Sequence, residues 1–330
     1  MTTRQATTIV LMALLSTAAR SQDTDATPHK VQFVTVDTNI QLEVLDWGGS
    51  GRPVVLLAGL GSTAHNFDQF APKLAANYHV YGITRRGFGK SSAPAPDGNA
   101  YTADRLGDDV LAVLAALKLN RPVLIGHSIA GEELSSVGSR HPESIAGLVY
   151  LDAGYGYALH ASPTGWLDID VIDLQKKLEL LRPGKGPNDT RPVIRELLQT
   201  LLPQFERELE TEFAWQDVLP AAMQEGNSTS MPAASQAILA GEQKYSRIAV
   251  PILAIFAVPH DMGPAINNDT VLRARFDEQD EAWVGAQASA FGKNLPTARV
   301  VRLPHANHFV FQSNEADVLS EIRTFVNGLP

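Results

Sequence analysis

Residues 123–135 read V-L-I-G-H-S-I-A-G-E-E-L-S, and their reading decides the fold. Val123, Leu124 and Ile125 end a short apolar run of the kind that forms a buried strand. Gly126 to Gly131 then make a tight bend rich in small residues, and Glu132 onward has the composition of a helix start. A serine at such a junction is held exposed at the carboxyl end of the sheet, and small neighbours let helix and strand approach. The start of a helix also brings free N–H groups and the positive dipole end beside it, which suits a developing oxyanion. Ser128 is therefore the candidate nucleophile, against the alternative of a serine that only caps a helix.

Working outward, Val31–Val36 and Ile40–Trp47 alternate with period two and predict an antiparallel hairpin. Pro53–Leu57, His79–Thr84, Pro122–Ile125 and Ile145–Leu151 read as buried strands, and Asn66–Ala76 and Thr102–Leu117 have helical spacing. Strands alternating with helices predict a mostly parallel sheet covered on both faces. From Gly154 to Arg247 the pattern turns helical, with Leu167–Leu181, Arg191–Phe213 and Ala234–Tyr245 amphipathic. Strand character returns at Pro251–Val258 and Ala298–Leu303, and a last helix spans Asn314–Asn327. The expected organisation is an α/β core from 22–153 and 248–330, interrupted by a helical cap at 154–247.

The chain has 330 residues, a net charge of −9 and no cysteine. The acidic balance argues against nucleic acid or an anionic membrane as partner. The missing thiols exclude disulfides, a Cys nucleophile and thiolate metal sites. No histidine spacing marks a metal site, so neither metal nor cofactor is expected. Residues 1–21 have the layout of a cleavable secretory signal: Arg4, the apolar run Ile9–Leu15, then small residues, with no acid before Asp23. The run is too short for a permanent span, which needs about 20 apolar residues. A secreted or periplasmic protein with no stable membrane anchor is the expectation.

Over about residues 31–328 the chain resembles the serine α/β-hydrolases with an inserted cap domain. That family's elbow is usually G-x-S-x-G; here Ala130 takes the fifth place, with Gly131 next, which suggests slightly wider helix–strand spacing. Half of its oxyanion hole comes from an H-G-x-G loop, which Ala58-Gly59-Leu60-Gly61 resembles without the histidine. The resemblance assigns the oxyanion donors to the N–H groups of Leu60 and Ile129. Thr84–Ser91 resembles a loop often written D-x-R-G-x-G-x-S, with Thr84 in place of Asp and Arg86 as a packing and hydrogen-bonding post.

The family places its histidine after the last strand, which selects His308 as base, with His305 as fallback. Asn307 would replace the usual glycine by tolerating left-handed backbone angles. His127 reads as structural. The acid is expected at Asp261, after strand Pro251–Val258, with Asp152 at the end of Ile145–Leu151 as the rival. The long gap between Asp261 and His308 suggests an extra helical excursion through Glu278–Phe291. Glu132 and Glu133 read as partners of the helix dipole or as buried acids near the site. Among the aromatic residues of the helical segment, Trp166, Phe213 and Trp215 are the substrate-pocket candidates, against a plain packing role.

The implied activity is hydrolysis of a small ester-like substrate through an acyl-enzyme. Serine at the elbow argues against the dehalogenase and epoxide hydrolase chemistries that use Asp there in similar folds. Lactone, amide or carbon–carbon bond hydrolysis, perhydrolysis and lyase activity stay open. So does a ligand-sensing protein with slow or no turnover.

Overall fold

Parallel pairing of short, fully apolar strands organises the chain. The computed structural model describes residues 28–161, 165–218 and 231–330. The expected signal segment, residues 1–21, lies outside them. Eight strands form one sheet: β1 (Lys30–Asp37), β2 (Ile40–Gly48), β3 (Pro53–Leu57), β4 (His79–Ile83), β5 (Val123–His127), β6 (Gly147–Leu151), β7 (Ile252–Ala257) and β8 (Ala298–Leu303). Their order is β1-β2-β4-β3-β5-β6-β7-β8. β2 pairs antiparallel with β1 and β4, and the remaining pairs are parallel.

Side chains of the central strands alternate between two cores. Val55, Leu57, Leu124, Leu148 and Ala254 face one side. There they meet α2 (Ala103–Ala116), α3 (Ala130–Arg140) and α9 (Ala286–Asn294). Val54, Leu56, Val123, Val149 and Leu253 face the other, against α1 (Ala71–Ala75) and α10 (Glu315–Asn327). Burial on both faces explains why these strands lack polar alternation.

The helix expected at Asn66–Ala76 is split into a tight helical turn, Ala64–Phe67, and α1; Pro72 stands in the first turn of α1, where a missing N–H costs nothing. Between β6 and β7 lie α4 (Leu167–Glu179), α5 (Arg191–Glu196), α6 (Leu202–Val218) and α7 (Ala233–Ala240). A wide turn at Leu197–Leu201 interrupts the helix expected over Arg191–Phe213. This stretch has two levels. Tyr155, Tyr157, Leu159, Trp166 and Ile169 belong to the main core. Leu174, Val193 and Leu197 form a small cluster of their own. The excursion before β8 is present as α8 (Thr270–Asp280), a wide turn at Glu281–Gly285, and α9. Among the described residues, no helix is long and apolar enough to cross a membrane.

Candidate active site

The register of the parallel strands assembles the site. β5 and β6 pair His127 with Leu151, so the residues that follow each strand, Ser128 and Asp152, emerge side by side. The Ser128 N–H donates to Leu151 O at 3.3 Å. Both residues take left-handed backbone angles, φ 56° at Ser128 and φ 46° at Asp152. That conformation costs free energy for a residue with a Cβ and is characteristic of functional turns. β3 ends level with β5, which sets Gly59 against the elbow: a Cβ added there would lie 3.2 Å from Ser128 Cβ. The close approach behind the elbow falls on Gly131, whose added Cβ would lie 2.0 Å from Ala153 O. A glycine is thus required at 131, and the methyl of Ala130 is accommodated.

The structure sets Asp152, the rival, and not the expected Asp261 beside His308. His308 Nδ1 donates to Asp152 Oδ2 at 2.6 Å. Asp261, the first choice from sequence, instead accepts from the Gly263 N–H and the Asn267 amide in its own loop. The physical reason lies one residue upstream. His260 fills the place next to the pair and donates from Nε2 to Asp152 Oδ2 at 2.8 Å and from Nδ1 to Asp280 Oδ2 at 2.9 Å. Asp261 then points away, toward Arg273 and His305. The fallback base His305 is exposed and accepts from Arg273. His305, not Asn307, is the left-handed residue of this loop, at φ 56°. Asn307 serves through its side chain, accepting from the Phe309 N–H at 3.0 Å.

Asp152 also accepts from the Ala257 N–H at 3.0 Å. Burial pushes its pKa up, but the His260 charge and the bonds from both histidines outweigh that and hold it well below the usual carboxylate range. With Nδ1–H of His308 committed to Asp152, the Nε2 lone pair is left to accept a proton. His308 Nε2 and Ser128 Oγ are both buried, and neither has a hydrogen-bond partner among the described residues. The Leu60 and Ile129 N–H groups likewise donate to no protein acceptor there. His127 is structural, as expected: Nε2 donates to His308 O at 3.1 Å, and its ring packs on His308 and Phe309.

Two features went unread in the sequence. The first is His260 with Asp280, the acid delivered by the excursion through α8. Burial lowers the His260 pKa, but the charges of Asp280 and Asp152 more than reverse this and raise it to about 10. The ring is therefore an imidazolium at neutral pH. A raised pKa stabilises the fold fully below the ordinary value near 6.5, and the contribution is lost as pH rises toward 10. Denaturant unfolding should accordingly show stability falling by a few kcal/mol across that window. The slope should flatten in His260→Gln; an equally steep loss in the variant would contradict this role.

The second is Arg85, at the variable place beside the expected Arg86 post. Arg86 does bind Asp109 through two nitrogens, each at 2.6 Å. Arg85 is buried and binds Glu133 at 2.7 and 2.6 Å. It also donates to Ala58 O at 2.9 Å and Gly59 O at 3.4 Å. One guanidinium thus ties the Gly59–Gly61 loop to α3, a rigid substitute for the family histidine absent at Ala58. Arg85→Met should cost about 3–5 kcal/mol by stranding the Glu133 charge. Adding Glu133→Met should restore stability, yet leave kcat ~100-fold low because the loop is untied. Full recovery of kcat in the double variant would refute the clamp.

Both Glu132 and Glu133 are buried rather than solvated helix-start acids. Burial, with Glu133 adding to it, pushes the Glu132 carboxyl well above the usual range, and its oxygens have no hydrogen-bond partner among the described residues. Trp166 is a packed wall: it stacks on Trp283 at 5.9 Å, meets Tyr157 edge-on at 5.2 Å, and donates to Glu242 at 2.7 Å. Phe213 is corrected as a pocket candidate, because it is 66% exposed. The Trp215 side chain lies outside the described residues.

Known proteins are similar to parts of this chain. A fluoroacetate dehalogenase of Burkholderia sp. is 35% identical over 107 residues, which cover 32% of this chain and 35% of that protein. A non-heme haloperoxidase of Rhodococcus erythropolis is 34% identical over 112 residues, 33% of this chain and 39% of that one. The matched stretches thus span little more than a third of these relatives. The crystal structure of a bromoperoxidase from Bacillus anthracis superposes with a TM-score of 0.55 at 19% identity, covering 90% of this chain and all of that one, a likeness of fold. The model of the alpha/beta hydrolase family matches residues 54–321, from β3 through the elbow and His308 into α10, and the chain belongs to that family.

Proposed function

We propose that this chain is an exported serine hydrolase that cleaves a carboxylic ester, or a related acyl compound, through an acyl-enzyme on Ser128. The observation that carries the reading is the 2.6 Å bond from His308 Nδ1 to Asp152 Oδ2 beside a left-handed Ser128. His308 Nε2 takes the Ser128 proton as Oγ attacks the acyl carbon. Asp152 holds the imidazolium that forms. The Leu60 and Ile129 N–H groups receive the oxyanion, and His308 returns the proton to the leaving alcohol. Water, activated by the same base, then frees the acid. Ser128 and His308 are fully buried, so these charges develop away from bulk water. Residues 154–247 act as the cap over this site, with Trp166 in its wall. No cofactor is required.

The haloperoxidase relative supports a second reading, in which hydrogen peroxide replaces water and the acyl-enzyme yields a peracid. A chromogenic ester panel graded by acyl length, run with and without peroxide, separates the two by product. A purified, folded protein that turns over no ester, lactone or amide would favour a ligand-sensing role instead. Export is tested by sequencing the N-terminus of protein recovered outside the cytoplasm, with cleavage expected near Ala19–Ser21.

A further inference from the structure

One carboxylate oxygen serves two imidazoles. Asp152 Oδ2 accepts from His308 Nδ1 at 2.6 Å and from His260 Nε2 at 2.8 Å, while Oδ1 accepts from the Ala257 N–H at 3.0 Å. A serine, histidine and acid working as a unit need only the first of these bonds. The second brings in a ring with another acid behind it. His260 Nδ1 donates to Asp280 Oδ2 at 2.9 Å, and the His260 backbone N–H donates to the same oxygen at 2.6 Å. Asp152, His260 and Asp280 are all buried.

Hydrogen-bond counting fixes the charge of this chain of groups. A neutral imidazole has one N–H and one lone pair. Between two carboxylate oxygens it would turn that lone pair on an anion. Both ring nitrogens of His260 therefore carry protons, and a cation stands between two anions. The other titratable groups packed on the two rings add no charge. The His127 ring, 4.6 Å from His308, is held neutral by burial, and burial likewise keeps the proton on Tyr155, whose hydroxyl is 3.4 Å from His260 Nε2. Arg273 and His305 pair with each other and face Asp261, in the loop that points away.

When His308 takes a proton it becomes a second imidazolium on the same oxygen, its ring centroid 6.3 Å from that of His260. Like charges at that distance inside a protein repel by more than a factor of ten in proton binding, and Asp280, lying beyond His260, offsets only part of it. We propose that His260 is a positioning residue of the reaction: clamped by Asp280, it fixes the Asp152 carboxylate for His308 and extends the working range of the site toward acid pH. This rests on the reading of Ser128 and His308 as nucleophile and base.

The test is the pH profile of kcat/KM for wild type and for His260→Gln, whose amide can donate to Asp152 but carries no charge. The acid limb should move up by about one pH unit in the variant. A histidine that only packs would lower kcat by the same factor at every pH, so a limb that stays in place overturns the proposal. Nuclear magnetic resonance of wild-type protein labelled with ¹⁵N-histidine supplies a second readout that needs neither turnover nor a folded variant. His260 should show both ring nitrogens protonated at about pH 8, and His308 a single ring proton, on Nδ1. A single ring proton on His260 at neutral pH would overturn the proposal whatever the kinetics. Wild-type protein that neither turns over esters nor reacts with a phosphonate would instead count against Ser128, and the ring protonation of His260 would still decide this inference.

Discussion

Ser128→Ala is expected to lower kcat for the best ester by about 10⁴–10⁶-fold with the fold intact. The size follows from what the side chain does. It supplies the atom that bonds to the acyl carbon, and no neighbour can replace it: His127 is committed to His308 O, and Ser135 to the Tyr150 hydroxyl. The substitution removes one buried oxygen that has no hydrogen-bond partner among the described residues. Stability should therefore hold or rise slightly, and left-handed strain at position 128 is unchanged because alanine also has a Cβ. Steady-state kinetics together with thermal melting check both halves. Activity above about a tenth of wild type would remove Ser128 as nucleophile.

Asp152→Asn is expected to cost about 10⁴ in kcat, and Asp261→Asn no more than a few-fold. The amide can no longer accept from His308 Nδ1–H through a charged oxygen, and it presents an N–H that favours the wrong tautomer. It also leaves His260 with one anionic partner instead of two. Asp152→Asn should for that reason lose stability as well as activity. Asp261 lies in a loop that is partly exposed, where its partners are Gly263 and Asn267. Parallel kinetics of the two variants decide the point, and the reverse ranking would return the acid to Asp261.

The contrast between these two aspartates shows where sequence was sufficient. Strands such as Val123–His127 and Ile252–Ala257 are legible because burial on both faces demands an unbroken apolar run, and few other structures do. The elbow is legible because a strand, a tight bend and a helix must follow within a few residues. Which carboxylate reaches His308 depends on something non-local: the parallel register that sets Leu151 beside His127, and a histidine at 260 that occupies the neighbouring space. Val258-Pro259-His260-Asp261 carries both a histidine and an acid after the right strand, and only side-chain direction tells them apart. Arg85 was hidden for the same reason. Its partners come from two separate segments, the Ala58-Gly59 loop and Glu133 on α3, which no local pattern links. Phe213 misled because helical spacing marks an apolar face without saying whether anything covers it.

A serine that is the nucleophile of a closed, histidine-activated site should be singled out by a serine-directed electrophile, and Ser128 is that residue in the proposed mechanism. Incubation with a fluorophosphonate followed by peptide mass spectrometry tests it most directly. A single stoichiometric adduct is expected on the peptide bearing Ser128, formed slowly or not at all in His308→Gln. An adduct on another residue, or none on folded wild-type protein, would contradict it.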